Sequence, residues 1–179
     1  MKWKNPKIIF DIETTGLNPY FGSRITCIGI KDTTGNRYCI FSEDESYIID
    51  KFYMYLLSMQ IFNPKYITMN GKMFDIPFIL TRNHLLKLRH DFSMLLEEDN
   101  NTDIFEFTPK WVSLESMAII LGFPENERKT GSGLVAIKLF HAKRYDELKE
   151  YCLRDVDLTE KVYNRMMSLR QGFEQKKLI

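Results

Sequence analysis

Residues 8–17 (IIFDIETTGL) place two carboxylates inside an apolar run that ends at a glycine. Because side chains alternate along a strand, Asp11 and Glu13 are predicted to point to the same face. Two like charges side by side on a half-buried strand repel each other and lose their hydration. A divalent cation would offset both effects, so this stretch predicts a metal site to which other parts of the chain contribute ligands.

The bulk properties of the chain are those of one ordinary domain. Of its 179 residues, 44% are hydrophobic and 27% are charged, so a single domain over residues 1–179 with a substantial core is expected. No apolar run approaches the ~20 residues that span a membrane. The apolar run near the N-terminus is too short for a signal peptide, and an intracellular, cytoplasmic protein is the default expectation.

The charge and the cysteines argue against two simple interpretations. A net charge of +1 gives no basic field for capturing nucleic acid, so phosphate binding would depend on local clusters or metal ions. Cys27, Cys39 and Cys152 are odd in number and form no CxxC pattern. This argues against a disulfide framework or a thiolate zinc site, and buried free thiols are expected instead.

Apolar periodicity and turn residues predict an α/β domain. Five strands are predicted, at residues 7–12, 24–31, 37–41, 65–69 and 103–107. The second and third of these form a hairpin. Helices are predicted at residues 46–60, 76–88, 113–121, 132–140 and 145–169. Residues 89–101 are predicted to be a surface loop or short helix, and the whole order indicates a mixed sheet covered by helices.

Two further stretches supply acids that can join the first pair. In residues 70–75 (NGKMFD) a predicted strand ends and Asp75 stands at the start of a helix, where capping of backbone N–H groups alone would also explain it. In the last helix Tyr151 and Asp155 are four residues apart and share a face. An exposed acid beside a core tyrosine is the alternative there. Asp157 is predicted to lie on a different face of that helix.

Together these three stretches resemble the motifs of the DEDD family of 3′–5′ exonucleases, in the branch with a tyrosine in its third motif. FDIETTG resembles the first motif, NGKMFD the second, and Tyr151 followed by Asp155 the third, in the same order and over residues 7–163. The likeness is to the exonuclease domain of family B DNA polymerases and its stand-alone relatives. It implies a ribonuclease H-like α/β fold, with a mixed five-stranded sheet flanked by helices.

The resemblance also implies an activity: hydrolysis of phosphodiester bonds at the 3′ end of single-stranded nucleic acid, which releases nucleoside 5′-monophosphates. The implied cofactors are two divalent cations, Mg²⁺ or Mn²⁺, which carboxylates suit as ligands. By the family pattern Asp11 bridges both ions, Glu13 and Asp155 complete the first site, and Asp75 supports the second. Tyr151 would orient the attacking water, since a phenol with a pKa near ~10 is a poor base at neutral pH.

Four further residues are candidate contacts with the substrate. By the family pattern Thr15 and Leu17 would hold the terminal nucleotide. Phe74 either faces the substrate or is a buried aromatic at a strand–helix junction. Asn70 either contacts the substrate backbone or fixes its own turn.

Other side chains near the expected cleft have two interpretations each. Six basic residues are either phosphate ligands or solvated surface charges: Lys72, Arg128, Lys129, Lys138, Lys143 and Arg144. Phe107 and Trp111 either stack on a base or belong to the core.

Several functions stay open at this point. DNA is favoured as the substrate, but no residue identifies a reader of the 2′-hydroxyl, so an RNA 3′-trimming exonuclease of the same fold is the alternative among nucleases. A catalytically idle nucleic-acid-binding module is the alternative from another class. The four acids and Tyr151 argue against it, because a module that only binds nucleic acid has no reason to retain the mutual repulsion of these carboxylates. A nuclease that needs a protein partner for substrate capture is also compatible with the near-neutral charge.

Overall fold

The structure, a computed structural model, describes residues 5–108, 112–128, 131 and 133–176. Within them five strands form one sheet: β1 (Lys7–Thr14), β2 (Ile25–Asp32), β3 (Arg37–Phe41), β4 (Lys65–Thr68) and β5 (Asn101–Asp103). Five α-helices accompany it: α1 (Glu45–Gln60), α2 (Asp75–Leu85), α3 (Leu114–Ile120), α4 (Gly133–His141) and α5 (Tyr145–Lys176). No helix among the described residues is both long and apolar enough to cross a membrane.

The sheet is mixed, with β1 at its centre in the order β3-β2-β1-β4-β5. The pairs β1–β2 and β2–β3 are antiparallel, whereas β1–β4 and β4–β5 are parallel. Residues of β1 alternate between the two faces, so that Ile8 and Phe10 belong to one apolar cluster and Ile9 to another. By the same alternation Asp11 and Glu13 share the face of Ile9.

Helices cover both faces of the sheet. On one face Ile48 and Phe52 of α1 pack with Ile76 and Ile79 of α2. On the other face, residues of α3, α4 and α5 cover the sheet. The predicted α/β fold with a mixed five-stranded sheet flanked by helices is confirmed.

Helix α5 lies unusually close to β2 because residue 29 is a glycine. A Cβ at Gly29 would lie 2.9 Å from both Cys152 Sγ and Val156 Cγ2, and 3.3 Å from the backbone oxygen of Cys152. The same helix is held by ion pairs from Asp157, whose carboxylate oxygens lie 2.8 Å from Lys31 Nζ and 2.8 Å from Arg37 Nη2. Asp157 thus faces β2 and β3, as predicted for a residue on another face from Asp155.

The prediction of a last strand at residues 103–107 is wrong. Strand β5 ends at Asp103, and Ile104–Phe107 forms a 3₁₀ turn. Thr68, the last residue of β4, pairs with Asp103, so beyond this point β4 offers no partner. The Asp103 carboxylate also accepts hydrogen bonds from the N–H groups of Phe105 at 3.0 Å and Asn70 at 2.7 Å. These bonds turn the chain out of the sheet.

Other predicted elements are confirmed with shifted ends. Strand β1 continues to Thr14, so Glu13 lies within the strand. Helix α2 ends at Leu85, three residues early, because Lys87 adopts a left-handed conformation with φ of 59°. Helix α5 is longer than predicted, and the segment predicted as a loop contains two 3₁₀ turns, Ser93–Leu95 and Glu98–Asn100.

Candidate active site

A cleft of about 370 Å³ opens at the carboxyl ends of β1 and β4. In α/β sheets this edge is the usual place for a ligand, because the loops there diverge from a rigid scaffold. Acidic residues from three elements line the cleft: Asp11, Glu13, Asp75 and Asp155. We call this arrangement the four-acid cleft.

The four acids lie in surroundings that make their negative charge costly. Glu13 is 6% exposed, and Asp75 and Asp155 are each 3% exposed, whereas Asp11 is partly buried. One carboxylate oxygen of Asp11, one of Glu13 and the Sγ of Cys152 all lie within 4.8 Å of one another. Several buried or partly buried carboxylates at one cleft repel each other unless positive charge compensates them.

Asp75 does more than start a helix. It is the first residue of α2, and Phe74, which makes no side-chain capping bond, occupies the N-cap position. The Oδ1 of Asp75 accepts a hydrogen bond from the backbone N–H of Ile12 at 3.0 Å. Strand β4 pairs with β1 only as far as Ile9. At Ile12, the Asp75 carboxylate therefore accepts the backbone N–H bond that a longer neighbouring strand would have accepted. Asp75 therefore joins α2 to the residue between Asp11 and Glu13.

The four candidate substrate contacts differ in position. Leu17, which is 83% exposed, lines the cleft together with Asn70 and Phe74. Asn70 has a φ of 65°, a left-handed conformation that fits its proposed turn role. Phe74 is half-buried, with its ring centroid 5.6 Å from that of Phe78, so it meets both the cleft and the core.

Thr15 closes the turn that follows β1. Its hydroxyl accepts a hydrogen bond from the N–H of Arg24 at 3.0 Å, and its own N–H donates to the Arg24 carbonyl at 3.0 Å. These contacts hold the loop that carries Leu17.

Tyr151 lies one turn before Asp155 on α5 and is 7% exposed. It belongs to an apolar cluster with Ala136 and Leu139 of α4. It also borders a second groove, next to Arg154, rather than the lining of the four-acid cleft. Its proposed role toward the attacking water stays a prediction.

Some basic residues near the cleft already have acidic partners. Lys72 Nζ lies 2.9 Å from Glu106 Oε1, and Arg144 Nη2 lies 2.5 Å from Glu147 Oε2. Lys138 and Lys143 are exposed. Lys129 and Trp111 lie outside the described residues.

The comparisons with known proteins agree with this architecture. A family model of the RNase H superfamily, RNase_H_2, matches residues 8–167. The chain belongs to the RNase H superfamily. Membership of the RNase H superfamily indicates a nuclease, a hydrolase whose substrate is nucleic acid.

A solved structure of a larger protein contains a similar fold. The family B DNA polymerase from the hyperthermophilic archaeon Pyrobaculum calidifontis matches with a TM-score of 0.73 and 20% sequence identity, over 91% of this chain and 24% of the polymerase chain. The chain thus spans about a quarter of that polymerase's length. At this identity the likeness shows the fold. No curated protein matches the chain significantly.

The donor set of this RNase H-like cleft suits hard divalent cations. Carboxylate oxygens are the ligands that Mg²⁺ and Mn²⁺ prefer. RNase H-like nucleases generally use divalent metals, and the close approach of Asp11 and Glu13 supplies the start of such a donor set. The residues present therefore fit divalent cations.

Sequence reasoning missed the contribution of α4 to the cleft. Gly133, Leu134 and Ile137 line the side that faces the acids. The three-residue spacing of Leu134 and Ile137 predicts one shared helix face, but not that this face would meet β1. Sequence reasoning also missed the contact between Cys152 and the acid pair, because the two lie far apart along the chain.

Proposed function

We propose that the protein is a metal-dependent 3′–5′ exonuclease. It hydrolyses phosphodiester bonds at the 3′ end of single-stranded nucleic acid, with DNA favoured over RNA, and releases nucleoside 5′-monophosphates. The observation that carries this proposal is the convergence of Asp11, Glu13, Asp75 and Asp155 on one open cleft. Carboxylates so concentrated are unfavourable on their own and suit a reaction that needs metal ions.

Two Mg²⁺ or Mn²⁺ ions would be held by these side chains. In this assignment Asp11 would contribute to both ion sites, Glu13 and Asp155 to the first, and Asp75 to the second. When bound, such ions neutralise charge on the phosphoryl oxygens and lower the pKa of coordinated water.

The residues of the chain position the reactants. Asp75 holds the N–H of Ile12 and thereby orients the segment that carries both acids of β1. Leu17 at the mouth of the cleft offers apolar contact to the terminal nucleotide. Asn70 and Phe74 also line the cleft and offer a polar and an aromatic contact. Tyr151 orients the attacking water in this proposal, and this role requires its hydroxyl to reach the cleft from its place against α4.

The experiment that tests the proposal uses 5′-labelled single-stranded DNA and RNA of one sequence, with Mg²⁺ or Mn²⁺ and with EDTA as a control. We expect a ladder that shortens from the 3′ end and requires metal. The matched variants are Asp155→Asn and Asp157→Asn, two acids on one helix, of which the first lines the cleft and the second pairs with Lys31 and Arg37. Asp155→Asn should lower the rate by at least about 100-fold, and Asp157→Asn should cut at nearly the parent rate. Asp11→Ala should abolish cleavage.

Three results would contradict the proposal. Release of the labelled 5′ nucleotide first would show that cleavage starts from the 5′ end. Equal rates for Asp155→Asn and the parent would place the chemistry elsewhere. Binding of both nucleic acids without cleavage by the parent would favour an idle binding module or a nuclease that needs a partner protein. The faster of the two substrates decides between DNA and RNA.

A further inference from the structure

Three thiols from three elements meet behind the four-acid cleft. Cys27 of β2, Cys39 of β3 and Cys152 of α5 place their sulfur atoms within 4.8 Å of one another. They are all the cysteines of the chain, and all three are free thiols. We call this group the thiol cluster.

The thiol cluster results from strand register and a close helix approach. Cys39 pairs with Gly29, and Cys27, two residues before Gly29, pairs with Phe41. Because alternate residues share a face, Cys27, Gly29 and Cys39 all face α5. The absence of a side chain at Gly29 then lets Cys152 approach the sheet, with its Sγ only 2.9 Å from where a Cβ would stand.

The spacing of the sulfur atoms fits one ion. Three thiolates at about 2.3 Å from a central ion in a plane lie about 4.0 Å apart. Since the sulfurs are within 4.8 Å of one another, closing onto an ion shortens each separation by at most about 0.8 Å. Side-chain rotations of this size leave the backbone in place.

The surroundings favour a soft ion. Ala136, Leu139 and Leu148 form the apolar wall of the thiol cluster. Cys39 is partly exposed on the edge strand β3, which provides access from solvent. Thiolates select soft cations, whereas the carboxylates of the cleft suit hard ones.

We propose that Cys27, Cys39 and Cys152 form a second metal site that binds one thiophilic cation such as Zn²⁺, Cd²⁺ or Cu⁺. Binding displaces the protons that the thiols carry. It does not require Mg²⁺ or Mn²⁺ at the four-acid cleft, because the two ligand sets differ in softness.

The site adjoins the proposed catalytic acids through Cys152. Its Sγ lies within 4.8 Å of carboxylate oxygens of Asp11 and Glu13, and its S–H donates to the backbone oxygen of Asp11 at 3.7 Å. Coordination removes that donor and replaces three neutral thiols with a thiolate–metal group of net negative charge behind the acid pair. Occupation of the thiol cluster therefore lowers nuclease activity, a consequence that rests on the proposed function.

The binding test uses Cd²⁺ as the probe, added to the full chain under a phosphine reductant. Sulfur-to-cadmium charge-transfer absorption in the ultraviolet reports thiolate ligation alone. We expect saturation at one Cd²⁺ per chain in the parent and in Asp11→Ala. Cys39→Ser should bind at least about tenfold more weakly, and Ile40→Val, the next position on the same strand, should bind like the parent. Cys27→Ser provides a second ligand variant.

The site would be refuted by the lack of an absorption band at one equivalent, or by a band of parent height and affinity in Cys39→Ser. The inhibitory consequence has its own assay: cleavage in excess Mg²⁺ with and without one equivalent of Cd²⁺. The parent should slow and Cys39→Ser should not. An equal response of the two proteins would overturn the inhibition. A parent without nuclease activity would refute the proposed function and leave the absorption result standing.

Discussion

Gly29→Ala tests whether the close contact between β2 and α5 determines the geometry of this domain. The added methyl group would stand 2.9 Å from Cys152 Sγ and from Val156 Cγ2. Cys152 can rotate its side chain, but the branched side chain of Val156 has one strongly preferred rotamer in a helix. The backbone oxygen of Cys152, at 3.3 Å, cannot rotate away. The helix must therefore shift.

The magnitude follows from two opposed effects. Overpacking a core contact costs about 1–3 kcal/mol. Replacing a strand glycine by alanine returns about 0.5–1 kcal/mol of backbone entropy. With the centre of each range, the net loss in unfolding free energy is about 1.2 kcal/mol, or a Tm lower by about 2–5 °C for a chain of this size.

Chemical denaturation followed by circular dichroism measures this loss. Gly133→Ala is the matched control, because a Cβ at Gly133 meets nothing within 4 Å, so this variant should be as stable as the parent or more so. A Gly29→Ala protein as stable as the parent would show that α5 does not need the close approach at Gly29. Since α5 carries Asp155, the shifted helix should also slow the proposed cleavage in Gly29→Ala.

Two further predictions concern buried acids away from the cleft. Glu45→Ala removes a carboxylate that accepts from Arg82 at 2.6 Å and from the N–H of Ile25 at 2.7 Å, so the unfolding free energy should fall by about 3–5 kcal/mol in urea denaturation. For Asp32, burial raises the pKa, but hydrogen bonds from Thr34, Tyr55 and Asn36 outweigh it and hold the pKa below its ordinary value. The carboxylate therefore stabilises the fold above its unfolded-state pKa, and this stabilisation is lost as the pH falls through the folded-state pKa. Asp32→Asn should destabilise the protein at neutral pH and much less in strong acid, and equal losses at both would contradict this.

Sequence patterns predicted the helices and strands that are determined by residues close together in the chain. The alternation within β1 was enough to place Asp11 and Glu13 on one face, and the four-residue spacing in α5 was enough to pair Tyr151 with Asp155 on that helix. The end of the last strand could not be predicted in this way. It depends on where β4 stops and on what the Asp103 carboxylate binds, and both are tertiary facts.

The thiol cluster is a second feature that could not be predicted from the sequence. The spacing of the cysteines gave no metal pattern, because such patterns record ligands from one local turn. Here the ligands come from two strands and a distant helix, and their meeting depends on register and on the missing side chain of Gly29. Asp75 is similar: its place at the start of α2 suggested a cap, whereas its bond to Ile12 follows from the early end of the β1–β4 pairing.

The position of α5 in the chain also determines when the two proposed sites can form during synthesis. During synthesis the segment with Asp11 and Glu13 leaves the ribosome before the segment with Cys152 and Asp155. Until α5 is released, the nascent chain lacks a complete acid set. Packing of α5 against β2 then completes both the four-acid cleft and the thiol cluster. A stalled nascent chain that lacks α5 would therefore carry neither site.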